Sequence, residues 1–283
     1  MGELIYKLPD MKIKTDKEAL AESIDYLHHL SQFLGIFGHT MVPEQADTSH
    51  TNMEWNDKEG RLYGQWSGGT PKIRMFLQFK DALLGMQTEQ KTVLQPSESW
   101  SPKEIIQWME SRLAFLSNQP AKMKLDLPYD FKDFEVNDQP YIIPDNKYLC
   151  HWGRMLGQFQ HVIDQLTKNE EHTGATRVWP HHFDLGNLII LSKNEQGEAT
   201  ETIGLGLAIP DHLSREPYGY INYFNKEKKL PTDRPSLVYG HWVDNGMQGI
   251  ICPITEFHED TIEQEKEIKK FLSEGIEAIK SMR

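Results

Sequence analysis

Between Ile203 and Ile209 the chain alternates without a break. Ile203, Leu205, Leu207 and Ile209 fall on one face, and Gly204, Gly206 and Ala208 on the other. A side-chain period of two fits a β-strand and no helix. One side is wholly apolar and demands cover. The other is nearly bare, so a helix or a ligand can come close to the backbone. The string Gly204-Leu205-Gly206-Leu207 is not a dinucleotide fingerprint, because the third glycine and the following helix are missing.

Other segments follow the same two periods. Ile73, Met75, Leu77 and Phe79 alternate with Arg74, Phe76, Gln78 and Lys80, which predicts a half-buried strand. Asn52 to Asn56 and Arg61 to Trp66 read as strands joined by a turn through Asp57 and Gly60, and Thr88 to Leu94 as a further partner. Thr15-Asp16-Lys17-Glu18 has the capping-box pattern, and Leu20, Ile24, Leu27, Leu30 and Leu34 carry the helix it opens, with Gly35 and Gly38 offering a stop. His28 and His29 lie in that helix, where core packing or solvation explains them. Ser101-Pro102-Lys103-Glu104 opens a second helix, with proline where its missing N–H costs least. Pro120 to Pro144 has little periodicity and reads as a long connection.

The order then repeats. A helix is expected from about Asp145 to Asn169, carried by Leu149, Trp152, Leu156, Phe159, Ile163 and Leu166. Strands follow at Thr176–Asp184, Leu188–Ser192, Thr202–Ile209, Tyr218–Phe224, Val238–Val243 and Gly249–Ile254. A last helix runs from about Thr261 to Lys280, with Ile262, Ile268, Phe271, Leu272, Ile276 and Ile279 on its apolar face. The strand spacing favours hairpins over crossovers. The expected class is therefore α+β: antiparallel sheet with amphipathic helices, in two similar helix–meander–helix halves. The halves are residues 1–125 and 140–283, or one continuous domain, and their matching element order reads as an internal duplication.

The bulk properties narrow the function classes. With 283 residues and a formal net charge of −12, the chain can bury a core and has the wrong sign for a phosphate-backbone binder. No apolar run approaches a membrane span, and the N-terminal segment lacks a signal-peptide pattern. The 2 cysteines, Cys150 and Cys252, form no C-x-x-C and suggest a reducing, cytoplasmic compartment, with a disulfide between them left open. The expected partner is a small molecule, neither nucleic acid nor membrane; no cofactor and no oligomeric state is indicated.

The densest chemistry lies between Thr176 and Ile190, T-R-V-W-P-H-H-F-D-L-G-N-L-I-I. Were Trp179 to Asp184 extended, Trp179, His181 and Phe183 would share one face, and His182 and Asp184 the other; both histidines could enter one site only across a kink. His182 with Asp184 is the pair suited to catalysis, since a carboxylate orients an imidazole and raises its basicity. Arg177, Trp179, His181, Tyr218, Tyr220, His241 and Trp242 could line an aromatic, imidazole-bearing pocket for a small organic or anionic ligand. A metal-assisted hydrolase would use His182, Asp184 and His241 around a divalent ion, with Glu216, Asp211 and His212 next in line. That signal is weak, because H-E-x-x-H, C-x-x-C and H-x-H are all missing. A third reading makes the aromatic face a protein–protein surface, and a fourth leaves the histidines hydrogen-bonded within a polar core. Whether the chain is an enzyme stays open.

Three stretches together, Val178-Trp179-Pro180-His181-His182-Phe183-Asp184-Leu185, Gly204-Leu205-Gly206-Leu207 leading to Glu216-Pro217-Tyr218-Gly219-Tyr220, and Ile250-Ile251-Cys252-Pro253-Ile254, carry a resemblance. They are similar to a bacterial family catalogued as a domain of unknown function, whose centre reads V-H-x-F-W-G-x-F-D-L-like. This chain has one extra residue between tryptophan and phenylalanine and a doubled histidine. The resemblance implies the fold and a bacterial source, and brings no activity with it.

Overall fold

The structure, a computed structural model, describes residues 16–96, 99–131 and 134–283. Among them are four helices and eleven strands, and every strand pairing is antiparallel. The class is mixed α+β, with more strands than helices. By contacts the chain divides into two compact units. The described residues of the first are 16–154 and 178–183; those of the second are 155–177 and 184–283. The division falls inside a helix, and a six-residue piece of the second half joins the first unit. The matching element order is not thereby shown to be a duplication.

In the first unit, helix α1 (Lys17–Met41) is capped by Asp16, whose carboxylate accepts from the backbone N–H of Glu18 and Ala19. The expected cap residue, Thr15, lies outside the described residues. Gly35 and Gly38 do not stop α1, which runs on to Met41. They admit neighbours instead: a Cβ on Gly35 would sit 2.3 Å from Tyr129 Oη, and one on Gly38 would sit 2.6 Å from the His50 carbonyl oxygen. Close approach, not termination, is the reason for these glycines. Strands β1 (Met53–Asn56), β2 (Arg61–Gly64), β3 (Arg74–Gln78), β4 (Leu83–Gln87) and β5 (Thr92–Pro96) form a meander, with α1 packed on β2 and β3. β3 was expected to be half-buried, yet Phe76 on its polar face is fully buried, lying beneath the Arg61 guanidinium. Helix α2 (Pro102–Ser117) keeps its capping box, Ser101 accepting from Glu104 N while the Glu104 carboxylate accepts from Ser101 N. The described residues between it and the next helix are irregular, as expected.

Helix α3 (Asn146–Thr167) passes from the first unit into the second after Arg154. Trp152, Leu156, Phe159 and Ile163 on it are fully buried, each worth roughly 1.5–3 kcal/mol. Strand β6 (Arg177–Trp179) pairs with β1 through Val178 and Met53. The second unit continues with β7 (Asp184–Lys193), β8 (Ala199–Ala208), β9 (Tyr218–Asn225), β10 (His241–Val243), β11 (Gln248–Pro253) and helix α4 (Thr261–Met282), its strands in the order β7-β8-β9-β11-β10. Directly paired residues share a face. Register therefore puts Leu205, Ile221 and Ile250 together beneath α4, where a Cβ on Gly275 would collide with Ile221 and Ile250 side chains. Ile262 does not join that apolar face; it stands 69% exposed in the first turn of α4.

Candidate functional site

The centre expected to be extended is a turn. Residues 180–183 leave β6, the Phe183 N–H donates to the Trp179 carbonyl at 2.7 Å, and Phe183 adopts a left-handed φ of 52°. The alternation of faces fails for that reason. The kink brings the two imidazoles together, the His181 and His182 ring centroids lying 4.4 Å apart.

What fixes the turn is a buried polar network from α1. The Pro180 carbonyl accepts from His28 Nε2 and from Gln32 Nε2, each at 2.8 Å. A carbonyl only accepts, so His28 carries its proton on Nε2. The Tyr129 hydroxyl donates to Gln32 Oε1 at 3.1 Å, and the His28 ring stacks on Phe183 with 5.1 Å between centroids. Burial lowers His28 to about 4 despite the carbonyl partner, with His29, His182 and His181 adding to the fall. His181, flanked by Tyr129 and Trp179, is likewise lowered to about 4 by burial and by His182. Both rings are therefore neutral at pH 7. His28, Gln32 and Tyr129 were not among the residues expected at this centre; the helical spacing of His28 and Gln32 was a signal only for α1 itself.

In the second unit the Tyr220 hydroxyl donates to Asp184 Oδ2 at 2.8 Å and the Tyr218 hydroxyl to Asp211 Oδ2 at 3.0 Å. Burial pushes both phenols up, and the neighbouring carboxylates push them further. Tyr218 and Tyr220 share one face of β9. Register carries that face to His241, with β11 between. Trp242 belongs to the opposite face, where its Nε1 donates to the Pro235 carbonyl and the Arg234 guanidinium lies over its ring. Arg177 opens β6 and Trp179 closes it.

The expected metal set is not gathered. Three strands separate Asp184 on β7 from His241 on β10, a distance of roughly 19 Å at about 4.8 Å per strand. Among the described residues no group of three His, Cys, Asp or Glu could hold an ion.

A cavity of about 190 Å³ lies elsewhere, in the first unit, between the β1–β2 turn and the start of α3. Its walls include Trp55, Phe79, Cys150 and Gly153, with Lys58 and Lys80 also on the lining; none of the expected site residues touches it. The Trp55 and Phe79 ring centroids are 4.7 Å apart. Gly153 gives the indole its place: a Cβ there would be 2.8 Å from Trp55 Cη2 and 3.0 Å from Cζ2. Trp55 is 2% exposed, and its Nε1–H is buried with no hydrogen-bond partner among the described residues. Both cysteines are free thiols, and burial raises the Cys150 thiol above its ordinary value. No motif marks this cavity, because ordinary residue types from three separate segments build it.

No family model, no curated protein and no solved structure matches this chain. Among the described residues no helix is long and apolar enough to cross a membrane.

Proposed function

We propose that the protein binds a small organic molecule, and that the ligand occupies the cavity under the β1–β2 turn. The observation that carries this reading is a cavity of about 190 Å³ walled by the neighbouring rings of Trp55 and Phe79. Aromatic walls with a few polar groups are the usual make-up of small-molecule sites. At the turn Pro180–Phe183 the Pro180 carbonyl is held by His28 and Gln32 of α1 in the same unit.

Cys150 makes the reading testable at the site itself. The purified full chain is treated with a thiol-alkylating reagent at mildly alkaline pH, and modification of Cys150 is followed by peptide mass spectrometry. Cys252 is fully buried and serves as the unreactive reference. Single-ring compounds that slow modification of Cys150 and raise the melting temperature support the reading. A broad set of such compounds that leaves both unchanged removes it.

A further inference from the structure

We infer that the turn between β10 and β11 is a self-modification site, in which His212 is the base that drives Asn245 through a cyclic imide to aspartate and isoaspartate. The site belongs to the second unit and is independent of the cavity.

The target is set by the sequence and the backbone. Asn245-Gly246 is the one Asn-Gly pair in the chain. Both residues are exposed, and Gly246 has a left-handed φ of 84°. A glycine carries no side chain to hinder its amide nitrogen as that atom approaches the carboxamide before it. The turn is anchored on its β10 side, where Arg234 donates through Nη1 and Nη2 to the Asp244 carboxylate at 2.9 and 2.7 Å.

The base comes from another loop. A Cβ at Gly246 would stand 2.6 Å from His212 Nε2, so the imidazole rests on main chain that only glycine leaves bare. A Cβ lies about 2.5 Å from its own amide nitrogen. His212 Nε2 is therefore within about 5 Å of Gly246 N, a span that one water bridges. The other ring nitrogen, Nδ1, lies 3.6 Å from Asp211 Oδ2. Asp211 is itself held, accepting from the Tyr218 hydroxyl at 3.0 Å and from the Leu213 N–H at 2.8 Å. A fixed carboxylate on the Nδ1 side keeps the ring proton there and leaves the Nε2 lone pair towards Gly246.

The step balances without a cofactor. His212 Nε2 takes the Gly246 amide proton, directly or through water, as the nitrogen attacks the Asn245 side-chain carbonyl carbon. The proton passes to the departing amide nitrogen, which leaves as ammonia, and the imide closes. Water then opens the imide at either carbonyl. One water enters and one ammonia leaves, and nothing is oxidised or reduced. The product puts a new carboxylate beside Asp244, and its isoaspartyl form adds a main-chain carbon to the turn.

The test incubates the folded full chain at neutral pH beside a synthetic peptide spanning residues 240–250, with Asn245 followed by peptide mass spectrometry. Conversion in the folded chain is expected to be about 10-fold faster than in the peptide, or more. His212→Gln should remove that excess; the ring is exposed, and an unchanged melting temperature checks the fold. Asp211 is a positioning residue, so Asp211→Asn should slow the reaction when His212 is present and add nothing in the His212→Gln background. A folded chain that converts no faster than the peptide, or a His212→Gln protein as fast as the parent, would overturn the inference.

Discussion

The Tyr220 ring lies flat across Gly206, so close that a Cβ at Gly206 would stand 2.4 Å from Tyr220 Cζ. The bare face of β8 thus receives neither a helix nor a ligand at this point. It seats a cross-strand tyrosine, which reaches over Gly186 to donate to Asp184. Gly206→Ala would also press on the Leu185 carbonyl oxygen, 2.2 Å away, and neither backbone nor ring can yield cheaply. A loss of about 2–4 kcal/mol is expected in urea unfolding. Gly204→Ala meets only Leu188 Cδ2 at 3.2 Å, the tip of a 41% exposed side chain, and should cost under about 1 kcal/mol. Equal losses for the two substitutions would refute the seat.

Acid should weaken the first unit through His28. Its folded value of about 4 lies below the ordinary 6.5. Between those values the unfolded chain binds the extra proton, so stability rises with pH across that window. The contribution is complete above about 6.5 and is lost as pH falls towards 4. A gap of about 2.5 pH units corresponds to roughly 3 kcal/mol for a side chain this buried. His28→Phe suits the aromatic surroundings of Phe131 and Phe183, and Gln32 still serves the Pro180 carbonyl. Unfolding free energies at pH 5 and 7.5 should lose about one proton of pH dependence in that variant. An unchanged slope would mean that His28 titrates normally.

The helix caps are the part most fully written in the sequence. Ser101→Ala removes the acceptor for the Glu104 N–H and should cost about 1 kcal/mol, seen as a lower melting temperature. The Ser101 N–H and hydroxyl also hold the Glu104 carboxyl below its usual range, so the box contributes above that range and is lost as pH falls through the lowered value. A Ser101→Ala protein as stable as the parent would show that α2 is held by packing alone.

Legibility elsewhere followed physical scale. Local signals read well: α3 and α4 announced themselves by period, and β8 by its alternation. Strand β4, at Leu83-Leu84-Gly85-Met86-Gln87, was missed because its consecutive residues Leu84, Gly85 and Met86 are all buried, so neither face is polar and no alternation shows. Gly35 and Gly38 misled because close approach and helix termination use the same residue. The turn at 180–183 depends on a phenylalanine in the left-handed region, which no local preference suggests and which α1 holds through the Pro180 carbonyl. The groups that hold the Pro180 carbonyl beside the doubled histidine, His28 and Gln32, are remote from it in sequence. The cavity lay beyond reach for the same reason, since Trp55, Phe79 and Gly153 converge only in the folded unit.

Gly153 sets the last prediction, since two opposing effects meet there. Glycine within a helix costs about 1 kcal/mol relative to alanine, so Gly153→Ala would stabilise an unhindered α3. Here the new Cβ would stand 2.8 Å from Trp55 Cη2 and 3.3 Å from Phe79 Cδ2. Overpacking of this kind costs about 1–3 kcal/mol, so it should win or cancel. The indole forms part of the wall of the cavity. Gly153→Ala should therefore leave the melting temperature unchanged or lower and change the near-ultraviolet circular dichroism from the indole. A substituted protein that melts higher with an unchanged near-ultraviolet spectrum would show that the edge of Trp55 does not rest on α3.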